Sequence, residues 1–449
     1  MSTIEKHDMT QGKILLPLVS FTIPLVLGNL FQLTYNAADS VIVGKYVGEQ
    51  ALAAVGTSTP IMNIAILLIS GMCMGASVLM SSQYGAKDYD TLSKQISTTM
   101  LAGCGFSVVF SLLMLLLATP VLQLIRVPET AIPEAAAYLR IIFMGLIFTF
   151  MYNFLANTMR ALGDSKTPLY FLVTSAFLNI FGDLFFVVVL RWGVVGSAIA
   201  TVCSEGLCCL LCGIYIKKKI PLLCLGKKWW VFDKSLLGKT VSYGSTSAMQ
   251  QVCLQLGKLI IQSVVNTQGV AVMAAFTAVN RVDDFAYTPQ QNIGHAMTTF
   301  LAQNKGAGHK ERMKKGFQTG LLIELVYSVG LFCVIWGLAP QIMTLFAEDG
   351  DAQVVSLGIS YLHLISWMYI LPGLTNGVQG FFRGIGDLKV TLYSTFMNMF
   401  GRVVAVFVMI RLLQMEFASL AWANMVGWIV MLLFEVPLLV KSMRNGECG

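Results

Sequence analysis

The sequence predicts an all-α polytopic membrane protein whose twelve transmembrane helices form two six-helix lobes related as parallel internal repeats. Three observations support this prediction: scarce charge, long apolar runs and a repeated motif. Of the 449 residues, 56% are hydrophobic and only 12% are charged, and the mean hydropathy is +0.72. A soluble domain needs more polar surface than this composition supplies. The composition therefore excludes a water-soluble domain of any size.

Apolar stretches of about 20 residues or more, long enough for a hydrocarbon layer of roughly 30 Å, recur along the whole chain. The first six spans define an N-terminal lobe, residues 1–216, and the last six a C-terminal lobe, residues 235–449. A basic cytoplasmic linker at 217–234 joins the lobes. In order, the predicted spans are 14–43, 51–82, 92–119, 131–158, 167–190, 193–217, 235–265, 271–303, 315–338, 353–382, 389–411 and 416–440.

The basic residues predict the orientation of these spans. Of the 30 Lys and Arg, 22 fall on one side, whereas only Lys45, Arg126, Arg191 and Arg411 fall on the other. The positive-inside rule then places both termini in the cytoplasm of a multi-pass cell-membrane protein. Residues 1–13 are polar and lack the apolar core of a signal peptide, so we expect no cleaved leader. The net charge of +7 thus reflects topology, and we expect no nucleic-acid partner.

An internal repeat relates the two halves. The segments 160–170 and 383–393 share six of eleven residues, and their sequences are RALGDSKTPLY and RGIGDLKVTLY. Each is followed by an apolar run that contains Asn-x-Phe-Gly. Because each half has an even number of spans, both halves have the same orientation. Parallel repeats of this kind are typical of secondary transporters.

Polar side chains at one depth of the N-terminal lobe predict an ion-coupling site. Span one carries a one-face stripe that ends at Asp39, span five carries Asn179 and Asp183, and span six carries Thr201 followed by Glu205. At 1.5 Å per residue, Asp39, Asp183 and Thr201 lie roughly 9–12 Å below the outer surface. The rest of the stripe is Asn29, Gln32 and Asn36.

The C-terminal lobe does not repeat this arrangement. It has Arg402 four residues after Asn398, where the first lobe has Asp183, and Lys258 with no acid opposite Asp39. An acid at helix-centre depth costs roughly 2.5–3.5 kcal/mol and needs a proton, a basic partner or a cation. No basic residue occurs at that level in spans one, five or six. A proton or a hard cation such as Na⁺ remains, although simple hydrogen bonding between helices is the alternative.

At these residues the chain resembles the multidrug and toxic compound extrusion (MATE) family. The resemblance covers nearly the whole chain, including the first-span pattern QLTYNAADSVIVGKYVGEQALAAVG. It implies a cation-coupled antiporter, driven by Na⁺ or H⁺, that exports amphipathic, often cationic drugs or toxic compounds. It also implies a helix bend at Pro24. The family's N-lobe cation site, the one candidate metal site for Na⁺, falls on Asp39, Asn179, Asp183 and Thr201.

Spans seven and ten carry no acid here, which resembles the branch of the family that couples through the N-lobe alone. We expect small-molecule substrates, a lipid bilayer around a monomer, and no cofactor beyond the coupling ion. Aromatic, Met and amide side chains suit a cavity for such substrates. The candidates are Gln32, Tyr35, Asn36, Asn153, Met249, Gln251 and Gln255.

The alternatives to export are a flippase and a membrane-embedded enzyme. A flippase for a lipid-linked saccharide, from the same wider superfamily, predicts a cationic groove that Lys258, Arg281 and Arg402 could line. An enzyme is not expected, because none of the four histidines is paired at ligand spacing. The ten cysteines lie mostly in apolar spans and are expected to pack rather than to bind metal. The substrate, the coupling ion and the role of Glu205 stay open at this point.

Overall fold

The structure is a computed structural model, and all regular elements in the part it describes are helices. The structure does not describe the side chains at 36–38, 40, 49, 50, 52, 53, 346, 411, 412 and 419. The described residues are 8–125, 127–220, 230–346, 352–413, 417 and 419–445.

The described residues of the first half of the chain form seven α-helices. A break of 47° at Gly145 separates α4 from α5, and a π-helical turn, Leu184–Val189, follows α6. Predicted span four, 131–158, is therefore two helices. The seven are α1 (Leu15–Tyr46), α2 (Glu49–Gly85), α3 (Tyr89–Leu124), α4 (Ile132–Met144), α5 (Leu146–Ala161), α6 (Lys166–Asp183) and α7 (Gly193–Lys219).

The second half repeats this pattern of breaks. A 3-10 turn, Trp367–Tyr369, separates α11 from α12, and a π-helical turn, Val408–Leu412, follows α13. The seven helices are α8 (Lys234–Val265), α9 (Val270–Gly306), α10 (Lys310–Phe346), α11 (Ala352–Ser366), α12 (Ile370–Ile385), α13 (Leu388–Phe407) and α14 (Ser419–Arg444).

The described residues contain nine helical stretches that are long and apolar enough to cross a membrane, and the bent pair α4–α5 makes a tenth. The sequence predicts twelve. The two predicted spans that are missing from this set are 235–265 and 271–303, which correspond to α8 and α9. These helices have 32 and 37 residues, so length is sufficient. Both helices are less apolar than the others. Helix α9 carries Arg281, Asp283 and Asp284, and α8 carries three lysines.

The repeated loop motif has a structural role in both halves. Gly163 and Gly386 adopt φ angles of +90° and +84°, a left-handed conformation that glycine reaches without the strain of a Cβ. After Gly163, one carboxylate oxygen of Asp164 accepts hydrogen bonds from the backbone N–H groups of Lys166 and Thr167, both at 3.0 Å. These bonds satisfy donors at the start of α6 that the helix itself leaves unpaired.

The chain divides into two compact units, each with its own core. The first contains Ile23–Ala248, and its core includes Phe143 and Phe154. The second contains Met9–Thr22 and Met249–Gly449, and its core includes Tyr361 and Tyr369. The division passes through α1 two residues before Pro24. It passes again through α8, between Ala248 and Met249. The linker 217–234 stays a prediction, and its central part, 221–229, lies outside the described residues.

Candidate functional site

Helices α1, α6 and α7 bring the predicted ion-coupling residues together in the first unit. Helices α6 and α7 approach each other closely there. A Cβ added at Gly182 would lie only 3.0 Å from the Cβ of Ala200. Small residues at such a crossing are the usual means by which membrane helices pack. The close approach places Asn179 of α6 beside Thr201 of α7.

A chain of hydrogen bonds links three of the helices at this point. Asn179 Nδ2 donates to Thr201 Oγ1 at 3.2 Å, and Thr201 Oγ1 donates to the carbonyl oxygen of Ser197 at 3.1 Å. Ser197 Oγ in turn donates to Asp39 Oδ1 at 3.0 Å. Ser197 was missed from the sequence, although it precedes Thr201 by one helical turn and so lies on the same face.

Asp183 is the least compensated group of the site. Its side chain is completely buried, and neither carboxylate oxygen accepts a hydrogen bond from a described residue. It lies within hydrogen-bonding range of Asp39. Two ionised carboxylates offer only acceptors, so they cannot bond to each other directly. A proton shared between them, or a cation bound by both, would satisfy the pair.

The donor set around this pair consists of oxygen atoms. Because Asn179 directs its amide nitrogen to Thr201, its Oδ1 is left to act as a ligand, as are the oxygens of Asp39 and Asp183. Such ligands suit hard cations. Within the described ranges, no three His, Cys, Asp or Glu side chains gather as a metal cluster. The chemistry of the site therefore fits either a proton or Na⁺.

A third acid, Glu205, lies on α7, two turns beyond Ser197 on the same face. Glu205 Oε2 accepts a hydrogen bond from Thr149 Oγ1 of α5 at 2.5 Å. Asn153, one turn further along α5, donates its Nδ2 to the Thr149 carbonyl at 2.9 Å. Ser197, Thr201 and Glu205 thus form one polar face at four-residue intervals. This face connects the level of the acidic pair with the deeper part of α7.

The predicted substrate-cavity residues are distributed over both units. In the first, Gln32 is exposed and pairs with half-buried Tyr35, whereas the Asn36 side chain lies outside the description. In the second, Met249 is 58% exposed and Gln255 is half-buried. Gln251 lines a cavity of about 250 Å³ in this unit, and neither Met249 nor Gln255 is among its lining residues. These assignments stay predictions. Pro24 is buried within the continuous helix α1.

The second unit contains buried acids that sequence reasoning missed. Asp283 of α9 accepts hydrogen bonds from Tyr369 Oη at 2.6 Å and Tyr361 Oη at 2.9 Å. Glu324 of α10 and Glu435 of α14 are also buried. These acids lie in predicted spans eight, nine and twelve, neither at the positions equivalent to Asp39 and Asp183 nor in spans seven and ten. Their position inside predicted apolar spans was the signal that could have identified them.

Comparisons with known proteins agree over nearly the whole chain. The family model described as MatE matches residues 24–185 and again 247–409. The probable multidrug resistance protein YpnP of Bacillus subtilis (strain 168) is 31% identical over 392 residues, which are 87% of this chain and 86% of that protein. The two matches of one model show that both halves carry the same pattern.

Solved structures show the same fold. One is described as an outward-facing conformation of a multidrug resistance MATE family transporter of the MOP superfamily. It aligns with a TM-score of 0.91 and 22% identity over 100% of this chain and 99% of that chain. Another, a MOP superfamily transporter from Pyrococcus furiosus described as having reverse polarity of its binding pocket, aligns with a TM-score of 0.91 and 21% identity over 99% of each chain.

Proposed function

This chain belongs to the MatE family of multidrug and toxic compound extrusion transporters, and we propose that it exports amphipathic, often cationic compounds in exchange for Na⁺ or H⁺. As a member of a transporter family it is a membrane protein and not an enzyme. The proposal includes alternating access of two six-helix lobes, 1–216 and 235–449. The fourteen helices form twelve spans when α4–α5 and α11–α12 are each one span and α8 and α9 also cross the membrane.

One observation carries the coupling proposal, the meeting of Asp39 and Asp183 in the first unit. Two facing acids without a basic partner must bind a positive charge if both are to remain in a low-dielectric site. Asn179 and Thr201 complete the proposed site. Because Asp183 has no other described hydrogen-bond partner, its environment depends directly on whether that charge is present. The site is therefore sensitive to the ion.

We propose that the ion acts by changing the shape of α1. An ion can drive a conformational change only if it binds two states with different affinity. Neutralisation of Asp39 and Asp183 removes their mutual repulsion and allows α1 to bend at Pro24, where a backbone hydrogen bond is already missing. The polar face of α1 transmits the bend. A cationic substrate is then released outward, because the negative charge that held it has been neutralised.

The membrane potential favours this direction of exchange. Each positive charge that moves inward gains roughly 2.3 kcal/mol per 100 mV. Charge carried outward by the substrate subtracts from this gain. A monomer with both termini in the cytoplasm and with N-lobe-only coupling completes the proposal. The N-lobe-only coupling is the part of this proposal that the buried acids of the second unit, Asp283, Glu324 and Glu435, allow to be tested.

The direct test is transport in proteoliposomes with an imposed Na⁺ or pH gradient. We expect Asp39→Asn and Asp183→Asn each to abolish gradient-driven export of a cationic dye while expression stays near normal. Asp90→Asn is the matched control, because Asp90 is 71% exposed and pairs only with Lys94 on the surface. Wild-type export in both site variants would contradict the coupling assignment. The gradient that drives export identifies the ion.

The flippase alternative is supported less well. It requires a pyrophosphate groove formed by Lys258, Arg281 and Arg402. Lys258 Nζ is paired with Asp284 Oδ1 at 3.1 Å, and Arg281 is exposed and does not line the second-unit cavity. Of these three residues, only Arg402 lines the cavity without a hydrogen bond to an acid among the described residues. A scramblase assay with a fluorescent lipid-linked saccharide, positive in wild type and absent in Arg402→Gln, would favour the flippase over export.

A further inference from the structure

The cavity of the second unit has a charge opposite to that of the acidic pair in the first. Its volume is about 250 Å³. Helices α8, α9, α12, α13 and α14 line it. The ionisable lining side chains are Lys258, Asp284, His295, Arg383 and Arg402. Lys258 and Asp284 pair with each other, so the guanidinium groups of Arg383 and Arg402 set the sign of the lining. The nearest acids, Glu435 beside Arg383 and Asp283 beside Arg402, are buried and do not line the cavity.

Arg402 is the unusual member of this set. It donates no hydrogen bond to any residue that the structure describes, and its Nε is inaccessible to solvent. Asp283 is the nearby acid, but its two oxygens are held by the phenols of Tyr361 and Tyr369. A guanidinium at membrane depth that donates no hydrogen bond is costly, so a ligand that supplies acceptors to it would be bound strongly.

Arg383 completes a preformed wall beside it. Arg383 is 7% exposed, and its Nη2 donates to Gln379 Oε1 at 2.6 Å, whereas its Nε has no partner in the described part of the chain. Gln250 Nε2 also donates to Gln379 Oε1, at 3.2 Å, and to Thr395 Oγ1 at 2.9 Å. These bonds fix the amides, so the donors of the wall are oriented before any ligand arrives.

We propose that this cavity is a binding site for a small oxyanion, a carboxylate or phosphate group, held by Arg402 and Arg383. The group belongs either to a soluble anionic or zwitterionic compound or to the headgroup of an anionic lipid. The guanidinium fork matches two oxygens of such a group. Asn376 also lines the cavity, and its Nδ2 carries a second hydrogen besides the one donated to the Pro372 carbonyl at 2.8 Å. The site is independent of the proposed coupling at Asp39 and Asp183.

The test uses Trp428, which lines the cavity, as an optical reporter. The full-length protein in phosphatidylcholine nanodiscs is titrated with phenylphosphonate, a dianion, and with its neutral dimethyl ester. We expect a saturable change in fluorescence with the dianion only, and loss of that change in Trp428→Phe. Arg402→Gln should weaken binding about tenfold or more, and Arg402→Lys should weaken it less because the charge remains.

Arg281→Gln is the matched control, since it removes the same charge from an exposed position of α9 outside the cavity. Each variant is used only if it is monodisperse with the wild-type Tm. Nanodiscs with phosphatidylglycerol separate the two sources: competition assigns the site to a lipid headgroup, and unchanged affinity assigns it to a soluble anion. Equal binding of dianion and ester, or wild-type affinity in Arg402→Gln, would overturn the proposal. No ion gradient is present, so the result does not depend on antiport.

Discussion

The carboxylate of Asp183 is the most demanding single group in the first unit, because it is fully buried and has no described donor. Its partner Asp39 is only partly buried and accepts one hydrogen bond, from Ser197 to its Oδ1. That bond holds one oxygen of Asp39 in place beside Asp183. Ser197 therefore positions a ligand without being one of the four predicted ligands.

We expect Ser197→Ala to raise the coupling-ion concentration needed for half-maximal export by roughly 2- to 10-fold, the equivalent of about 0.5–1.5 kcal/mol for one hydrogen bond. Ser204→Ala is the matched control, because Ser204 Oγ donates only to the Thr201 carbonyl of its own helix, at 2.8 Å. Export rates measured over a range of Na⁺ and pH provide the comparison. The same ion dependence in Ser197→Ala and wild type would show that Ser197 only packs.

At this scale the sequence predicts the acids and not their neighbours. Helical rise and periodicity are regular, so the common depth of Asp39, Asp183 and Thr201 could be calculated from the sequence. Ser197 lies in the stretch GVVGSAIAT, where a serine looks like one more small packing residue. The isolation of Arg402 was not predictable either, because it depends on which side chains of other helices reach it.

Among the helices, the pair α9 and α12 shows how close backbone contact is encoded. A Cβ at Gly380 would lie 2.7 Å from the Gly294 carbonyl oxygen, and one at Gly294 would lie 2.9 Å from that of Asn376. Backbone atoms cannot move aside as a flexible side chain can. The two helices can therefore pack at this distance only while both positions are glycine. Helix α12 also carries Asn376, Gln379 and Arg383 of the cavity wall.

Gly380→Ala should destabilise the protein by about 1–3 kcal/mol, the usual cost of overpacking. Gly330→Ala is the matched control, because nothing lies within 4 Å of a Cβ there, and alanine has the higher helix propensity. Thermal unfolding in one detergent measures both variants. We expect a lower Tm for Gly380→Ala and an unchanged or slightly raised Tm for Gly330→Ala. Equal Tm values would mean that α9 and α12 can separate without cost.

Breaks within helices were harder to predict than the helices themselves. Span 131–158 contains no proline after Pro133, so the sequence predicts one straight span. The structure instead has a 47° bend at Gly145, where a Cβ would lie 2.5 Å from a methyl carbon of Val202 on α7. The bend accompanies a contact with another helix. Hydropathy and residue type within one segment do not contain that information.

For the whole molecule, the repeat in the sequence and the double match of the MatE model describe the same duplication. Contacts nevertheless divide the chain inside α1 rather than at the linker. Arg312 ties residues 9–12 into the second unit, with hydrogen bonds to the carbonyls of Met9, Gln11 and Gly12 at 2.7–3.3 Å. In the proposed mechanism α1 is held before its proline and bends near Pro24 when the ion binds.

Pro24→Ala tests this role of α1. Alanine restores an N–H that can donate to the carbonyl of Ser20 and so stiffens the helix at the proposed bend. We expect substrate affinity in the absence of coupling ion to stay near wild type, while saturating ion displaces less substrate than it does from wild type. The measurement is equilibrium binding of a cationic dye at zero and saturating ion. Pro60→Ala, within α2, is the control for removing a proline from a membrane helix. If ion-driven displacement in Pro24→Ala equals that of wild type and of Pro60→Ala, the coupling between ion and substrate does not pass through a bend in α1, and direct charge competition at Asp39 and Asp183 is the mechanism that remains.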